Sequence, residues 1–443
     1  MGVTYFAIAM GASRTLEPDE SFFYGQRSFG IIPLSLSLAA THIGGGMVLG
    51  TSEEAYRLGF NGMFYNLGVV AGFFLLGLIA YKFRKESFTT TVEIFSTKYG
   101  SKTLRALASL MSILTLSGIL VGQIIASRKL LDALVGQHAW ILVCFWLLVI
   151  LYTLFGGLRA VIATEMFQII FVITITALML GFYIKGKPLA FEPKTYLHEL
   201  FDTKFDDQFF SARHGVLFFM PIFYVFIAQD LGQRILSARS SLVASLSSFI
   251  AGLLVLGFSF MPIMVGLEAR HLGIAIKDQG SVFLQVFSHA EPFFYYLLIC
   301  GVIAAISSTA DAVLCAIGSN VIEDFGLEAQ IQAEKYVGIM LSRIVIFVIG
   351  ITSLILAYQM DDILGVLALS YEISLSCLLV PVALGLFLPK PRMESALFAM
   401  IFGLLGFILL RIYPMAGKEF LSIILSGIGF FIGYLYSLAN KRQ

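Results

Sequence analysis

Twelve long apolar segments run through this chain, at about 31–54, 62–82, 104–134, 138–156, 160–184, 214–236, 241–268, 292–323, 336–358, 361–388, 393–411 and 419–438. A helix crosses the hydrocarbon core of a bilayer with roughly 20 apolar residues. Inside lipid every backbone N–H and C=O must be satisfied within the protein. Segments of this length and number therefore predict an all-α, polytopic transmembrane bundle. They are too long and too uniformly apolar for the period-two strands of a membrane β-barrel. Composition agrees: 58% of the 443 residues are hydrophobic and 13% charged, against about 45–50% and about 25% in soluble domains. The spans leave short loops and no room for a separate soluble domain. Ahead of them, Val3–Ala12 is apolar but too short to span and lacks the basic flank of a signal peptide, so it reads as the remnant of a further helix.

The net charge of +1 gives no electrostatic case for nucleic acid. Cys144, Cys300, Cys315 and Cys377 all fall in apolar stretches and read as free thiols packed in helices. An enzyme is not expected, because neither an activated nucleophile nor a transition-metal ligand set is present, and no organic cofactor is implied. Gly181-Phe-Tyr-Ile-Lys-Gly-Lys187 approaches a phosphate loop but continues with Pro188 where Ser or Thr is required, and it ends a membrane helix. Gly68-x-x-x-Gly72 and Gly429-x-x-x-Gly433 permit close helix contacts. The bias of Lys and Arg puts the loop carrying Lys82, Arg84, Lys85, Lys98, Lys102 and Arg105 in the cytoplasm, together with the C-terminus at Lys441 and Arg442. The 185–213 loop is then external. The expected location is a plasma membrane, or the inner membrane of a bacterium, with the lipid bilayer as partner and a monomer among the possible oligomeric states.

The first span carries three consecutive glycines, Gly44 to Gly46, at mid-membrane depth. Each costs about 1 kcal/mol of helix propensity against Ala. Two readings are open: an unwound turn whose carbonyls hold a cation, or a small-residue surface for close packing. The sixth span, with Pro221 and Gly232, is the second interrupted segment. Interrupted segments at corresponding places in two halves point to an inverted-repeat transporter. In the eighth span Ser307 and Ser308 are adjacent hydroxyls. They offer neutral oxygens to a monovalent cation, or they back-bond to carbonyls one turn earlier. Glu372, mid-way along the tenth span, is a costly intramembrane acid. It reads as a substrate contact favouring a cationic group, as a proton site, or as a structural acid. Asp230 can pair with Arg234 four residues on.

At these residues the chain resembles the sodium:solute symporter family. The likeness is carried by Phe23-Tyr-Gly-Gln-Arg-Ser-Phe-Gly30, by Ser37-Leu-Ala-Ala-Thr41 with Gly50, Ala55-Tyr56 and Gly59, and by Tyr152-Thr-Leu-Phe-Gly-Gly-Leu-Arg-Ala-Val161 followed by Thr164-Glu-Met-Phe-Gln168. Gln233-Arg234, Ser307-Ser-Thr-Ala-Asp311 and Val380-Pro381 continue it in the same order. The resemblance implies the five-plus-five inverted repeat of the leucine-transporter fold, with alternating access driven by sodium. The halves would be 31–184 and 214–388, within a ten-helix core at 31–388. Residues 1–30 would form a short leading segment and 393–443 two added helices with a tail. By the same likeness, sodium falls on the carbonyls of Ala40, Ile43 and Ala304 and the hydroxyls of Ser307 and Ser308. Met47, Asn66 and Gln229 fall where members line the solute pocket. His42, between two of the sodium-ligating carbonyls, would point away from the ion toward the substrate or a neighbouring helix, as a ligand or as a structural histidine. Glu165 and Asp311 would approach each other below the ion and serve its release or a proton. Ala310 and Asp311 stand where some members place hydroxyls for a further sodium, which argues against a second site of that type. The expected function is sodium-coupled import of a small organic solute. Proton coupling through Glu165, Asp311, Glu372 or His42, and a solute sensor with a separate signalling partner, are the alternatives.

Overall fold

The computed structural model describes residues 27–86, 88–136, 138–186, 213–274, 281–287, 292–325, 335–413 and 417–440. The Val3–Ala12 segment, most of the 185–213 loop and the basic C-terminal residues lie outside them. Among the described residues the secondary structure is helical, and the one β contact is an isolated bridge between Phe29 and Ala238.

In chain order the helices are α1 (Ile31–His42), α2 (Thr51–Leu58), α3 (Phe64–Lys85), α4 (Ile94–Thr97), α5 (Lys102–Val135), α6 (Ala139–Leu154) and α7 (Gly157–Leu178). They continue as α8 (Arg213–Ile227), α9 (Gln229–Leu236), α10 (Ser241–His271), α11 (Val282–Phe287) and α12 (Pro292–Asp324). The last are α13 (Lys335–Ala357), α14 (Ile363–Ser374), α15 (Val380–Phe387), α16 (Met393–Ile412) and α17 (Lys418–Asn440). Among the described residues, nine helices are long and apolar enough to cross a membrane, or ten when the pair α8 and α9, bent by 41°, counts as one span. Ile31–His42 and Ala139–Leu154 are shorter apolar helices. Each of the twelve apolar segments of the sequence is thereby occupied.

Burial sorts these helices. The apolar window of α12 is 83% buried and that of α17 only 33%, so α12 lies at the centre and α17 on the lipid-facing edge. Helix α5 packs on α12 and α14, and α3 packs on α8 and α10. The two glycine motifs serve these contacts inside the chain. A Cβ on Gly68 would sit 2.1 Å from the Phe218 carbonyl oxygen of α8, and one on Gly433 2.4 Å from the Glu394 oxygen of α16.

Four breaks interrupt the helices. Helix α1 stops at Ile43, whose φ of −78° and ψ of 72° form an inverse γ-turn closed by Gly44 N–H to the His42 carbonyl at 2.9 Å. A π-turn at Gly46–Gly50 then leads into α2. Helix α8 stops at Ala228 with ψ of 126°. Gly157, with φ of 63°, turns α6 into α7 in a conformation that favours glycine. A π-turn at Leu375–Leu379 joins α14 to α15.

Candidate functional site: an ion cradle and a solute cavity

In a continuing α-helix the Gly44 N–H would close on the Ala40 carbonyl and the Gly45 N–H on that of Thr41. Here Gly44 turns to His42, and Gly45 donates to Gln123 Oε1 of α5 at 2.8 Å. The Ala40 carbonyl is so released from its helix, and Ser308 Oγ of α12 lies 3.1 Å from it, its one proton shared between this carbonyl and that of Ala305. The glycines also serve close packing. A Cβ on Gly44 would meet Thr309 Oγ1 at 2.2 Å, and one on Gly45 would meet the Ala126 Cβ at 2.4 Å. At the triple glycine the helix opens, and α5 and α12 approach the opened backbone.

Ser307 Oγ donates to Ala304 at 3.1 Å and Ser308 Oγ donates to Ala305 at 2.8 Å. Back-bonding therefore occurs, and it does not compete with ion binding. A hydroxyl has one proton and two lone pairs. With its proton directed at carbonyls, Ser308 keeps its lone pairs for a cation, and Ser307, which also accepts from Gln168 Nε2, keeps one. Ala40, Ala304, Ser307 and Ser308 are brought together, with Ile43 at the break of α1; all five are buried. Sequence reasoning passed over Gln168 of α7, whose Nε2 donates to Ser307 Oγ at 3.1 Å.

The acids take partners other than each other. Glu165 pairs with Arg234 of α9 and accepts from Ser37 Oγ, and Arg234 Nε donates to the same Ser37 hydroxyl at 2.8 Å. Asp311 accepts from Tyr152 Oη and Thr153 Oγ1, both at 2.7 Å. The expected Asp230–Arg234 ion pair is corrected. Arg234 Nη1 donates to the Asp230 backbone carbonyl at 2.6 Å, while its charge is matched by Glu165. An intrahelical pair at four-residue spacing lost to a carboxylate on another helix that is itself fully buried.

Beside the cradle lies a narrow cavity, walled by Thr41, His42, Gly46, Met47, Tyr65, Ile119, Gln123, Tyr224, Asp230, Thr309, Leu367 and Tyr371. Of the residues expected at a solute pocket, His42 and Met47 line this cavity. Asn66, Gln229 and Glu372 do not line it. Asn66 Oδ1 accepts from Thr51 Oγ1 at 3.0 Å. Gln229 Oε1 caps the Thr91 N–H at 2.8 Å and its hydroxyl at 2.6 Å. Glu372 pairs with Arg411 of α16, turned away from the cavity wall where its neighbour Tyr371 stands. Three of the polar residues that line the cavity hold unmatched groups: both His42 ring nitrogens, Asp230 Oδ1 and the Tyr224 hydroxyl are buried without a hydrogen-bond partner.

Ionic clasps stand at either end. At the α2 end, Arg213 binds Glu54 at 2.6 Å and Asp362 at 2.6 Å, and Lys129 binds Glu53 at 2.7 Å. At the other, Arg105 binds Asp324 at 2.7 Å, which also accepts from Thr90 Oγ1 at 2.6 Å.

Comparison with known proteins adds to this geometry. The model of the sodium:solute symporter family matches residues 22–403. The chain is 25% identical over 421 residues to the sodium/pantothenate symporter of Escherichia coli (strain K12), covering 91% of this chain and 86% of that protein. It is also 25% identical over 410 residues to the sodium/pantothenate symporter of Haemophilus influenzae, covering 88% and 84% respectively. A solved Na+-coupled sialic acid symporter, substrate-bound and outward-open, superposes with a TM-score of 0.79 at 18% identity over 98% of this chain and 94% of its own. A nucleobase-cation-symport-1 family transporter in a closed conformation superposes at 0.60 with 13% identity, covering 95% of each chain.

Proposed function

Because this chain belongs to the sodium:solute symporter family, with the leucine-transporter fold and sodium as coupling ion, we propose that the ion binds between α1 and α12 and the solute in the adjoining cavity. The ion ligands are the carbonyls of Ala40, Ile43 and Ala304 and the hydroxyls of Ser307 and Ser308. The single observation that carries this reading is the 3.1 Å contact of Ser308 Oγ with the Ala40 carbonyl, across two helices and at a break in one of them. Two groups that already touch can share one cation by opening a few tenths of an ångström and turning the hydroxyl proton aside.

Occupancy by sodium ties α1 to α12. The two arms of α1 then set the wall of the cavity, since Thr41, His42 and Met47 belong to the same opened segment. Ion and solute binding are linked through that shared backbone, so each raises the affinity of the other by the same factor. Transport is inward, with the C-terminus in the cytoplasm, and the halves 31–184 and 214–388 rock about the site while 393–443 packs outside them. Asp311, held by two hydroxyls, and Glu165, held by Arg234, lie on the path by which the ion leaves.

The test is uptake into proteoliposomes under an inward sodium gradient. Ser307→Ala and Ser308→Ala should each weaken sodium-dependent uptake without loss of expression. Undiminished uptake in both variants, or uptake driven by a pH gradient in sodium-free buffer, contradicts the assignment.

A further inference from the structure

The chemistry of the cavity wall narrows the solute beyond its being small. In this fold an anionic group of a substrate is received by the positive N-terminal end of a broken helix. Two such ends lie at this cavity, and at each the protein itself already answers part of the positive charge. At the start of the second arm of the first span, Gly44 N–H goes to the His42 carbonyl and Gly45 N–H to Gln123 Oε1. At the start of α9, the Asp230 carboxylate sits in the first turn, where it offsets the helix dipole and repels a second anion. Among the described residues that line the cavity there is no Lys or Arg. Arg234 is turned away to Glu165 and Ser37.

What the wall does offer suits a cation. Asp230 is 2% exposed and lines the cavity beside Tyr224, and its Oδ1 and the Tyr224 hydroxyl are both buried without a hydrogen-bond partner. Tyr65, Tyr224 and Tyr371 form an aromatic side, with Tyr224 and Tyr371 stacked at 4.2 Å. Tyrosine faces and phenolic oxygens attract an ammonium group. The α1 end at Thr41 and His42 presents the negative end of its helix dipole. His42, also buried, edges onto Phe73 and leaves both ring nitrogens unpartnered. Neutral imidazole supplies one donor and one acceptor, the match of a hydroxyl or amide.

We propose that the solute is an organic cation, whose ammonium group binds the Asp230 carboxylate and the tyrosine wall and whose polar end hydrogen-bonds His42. The proposal rests on the symporter reading above.

The experiment uses the purified full chain in detergent, with thermal unfolding followed in sodium and in potassium buffer. The probes are ammonium alcohols and diamines such as choline, ethanolamine and putrescine, the uncharged choline isostere 3,3-dimethylbutan-1-ol, and pantothenate as a carboxylate. The expected result is sodium-dependent stabilisation by at least one ammonium probe and none by the isostere or by pantothenate. Asp230→Asn should weaken that response about tenfold or more, leaving the shift produced by sodium alone in place. Stabilisation by pantothenate or the neutral isostere, with none from any ammonium probe, overturns the cationic assignment and leaves symport standing. Should Asp230→Asn fail to fold, the comparison among probes on the unaltered chain decides alone. A chain that sodium does not stabilise, with or without probes, overturns the symport site beneath the proposal.

Discussion

Ser308 is the residue on which the ion site turns, because its hydroxyl alone bridges the opened α1 and the intact α12. Ser308→Ala removes that oxygen while keeping the Cβ. The half-saturating sodium concentration for uptake should rise about tenfold, the worth of a single good ligand of about 1.4 kcal/mol. Sodium titration of initial uptake rates checks it. Gly44 is as constrained, since a methyl there lands 2.2 Å from Thr309 Oγ1. Gly44→Ala should cost about 1–3 kcal/mol by overpacking, read as a lowered unfolding temperature. Ser307, Ser308 and the glycine run were legible in the sequence, because hydroxyls and glycines at mid-membrane depth are unusual enough to need a reason. The cavity wall was less legible, and three residues expected at a solute pocket sit one position from residues that line it. Asn66 was expected where Tyr65 faces in, Gln229 where Asp230 does, and Glu372 where Tyr371 does. One position on a helix turns a side chain by about 100°. Preference for the more polar neighbour chose the one facing another helix.

At the scale of elements, the breaks differ in how they announce themselves. The opening at Ile43 is followed by three glycines, and the turn at Gly157 needs a positive φ. The break at Ala228 has no such signal, as Pro221 lies a full two turns earlier inside α8. What holds the broken arms is the Glu165–Arg234 pair, joining α7 to α9 with both side chains fully buried. Removing one partner strands a charge, so Glu165→Gln or Arg234→Met should each destabilise by about 3–5 kcal/mol, and the double change by less than their sum. Denaturation of the three variants tests this. The Arg213 clasp ties α8 to α2 and to the cap of α14. Burial alone would raise the Asp362 carboxyl, but hydrogen bonds from Arg213 and the Gly365 N–H, with the Arg213 charge, hold its pKa below the ordinary 3.8. A depressed carboxyl contributes stability that is present above its unfolded pKa and lost as pH falls through its folded one. Thermal stability should therefore fall below about pH 4. Asp362→Asn, which keeps a capping oxygen for Gly365, should flatten that fall.

For the molecule as a whole, twelve apolar segments were enough to give the class of fold, since a bilayer leaves a helix bundle as the only use for them. The order of the segments, and the family motifs from Phe23 to Pro381, carried the rest of the architecture. Partner choice among buried charges was out of reach, because Arg234 can be matched to Glu165 only once α7 and α9 are placed side by side. Solute and sodium should raise each other's affinity by a common factor, which paired titrations would show as equal shifts. The most direct test of the ion cradle is hydrogen exchange of the purified chain, in sodium against potassium. Sodium should slow exchange over 40–48 and 304–309 in the unaltered chain and leave Ser308→Ala unprotected there. Protection confined to other segments, or equal protection in the variant, would contradict the account.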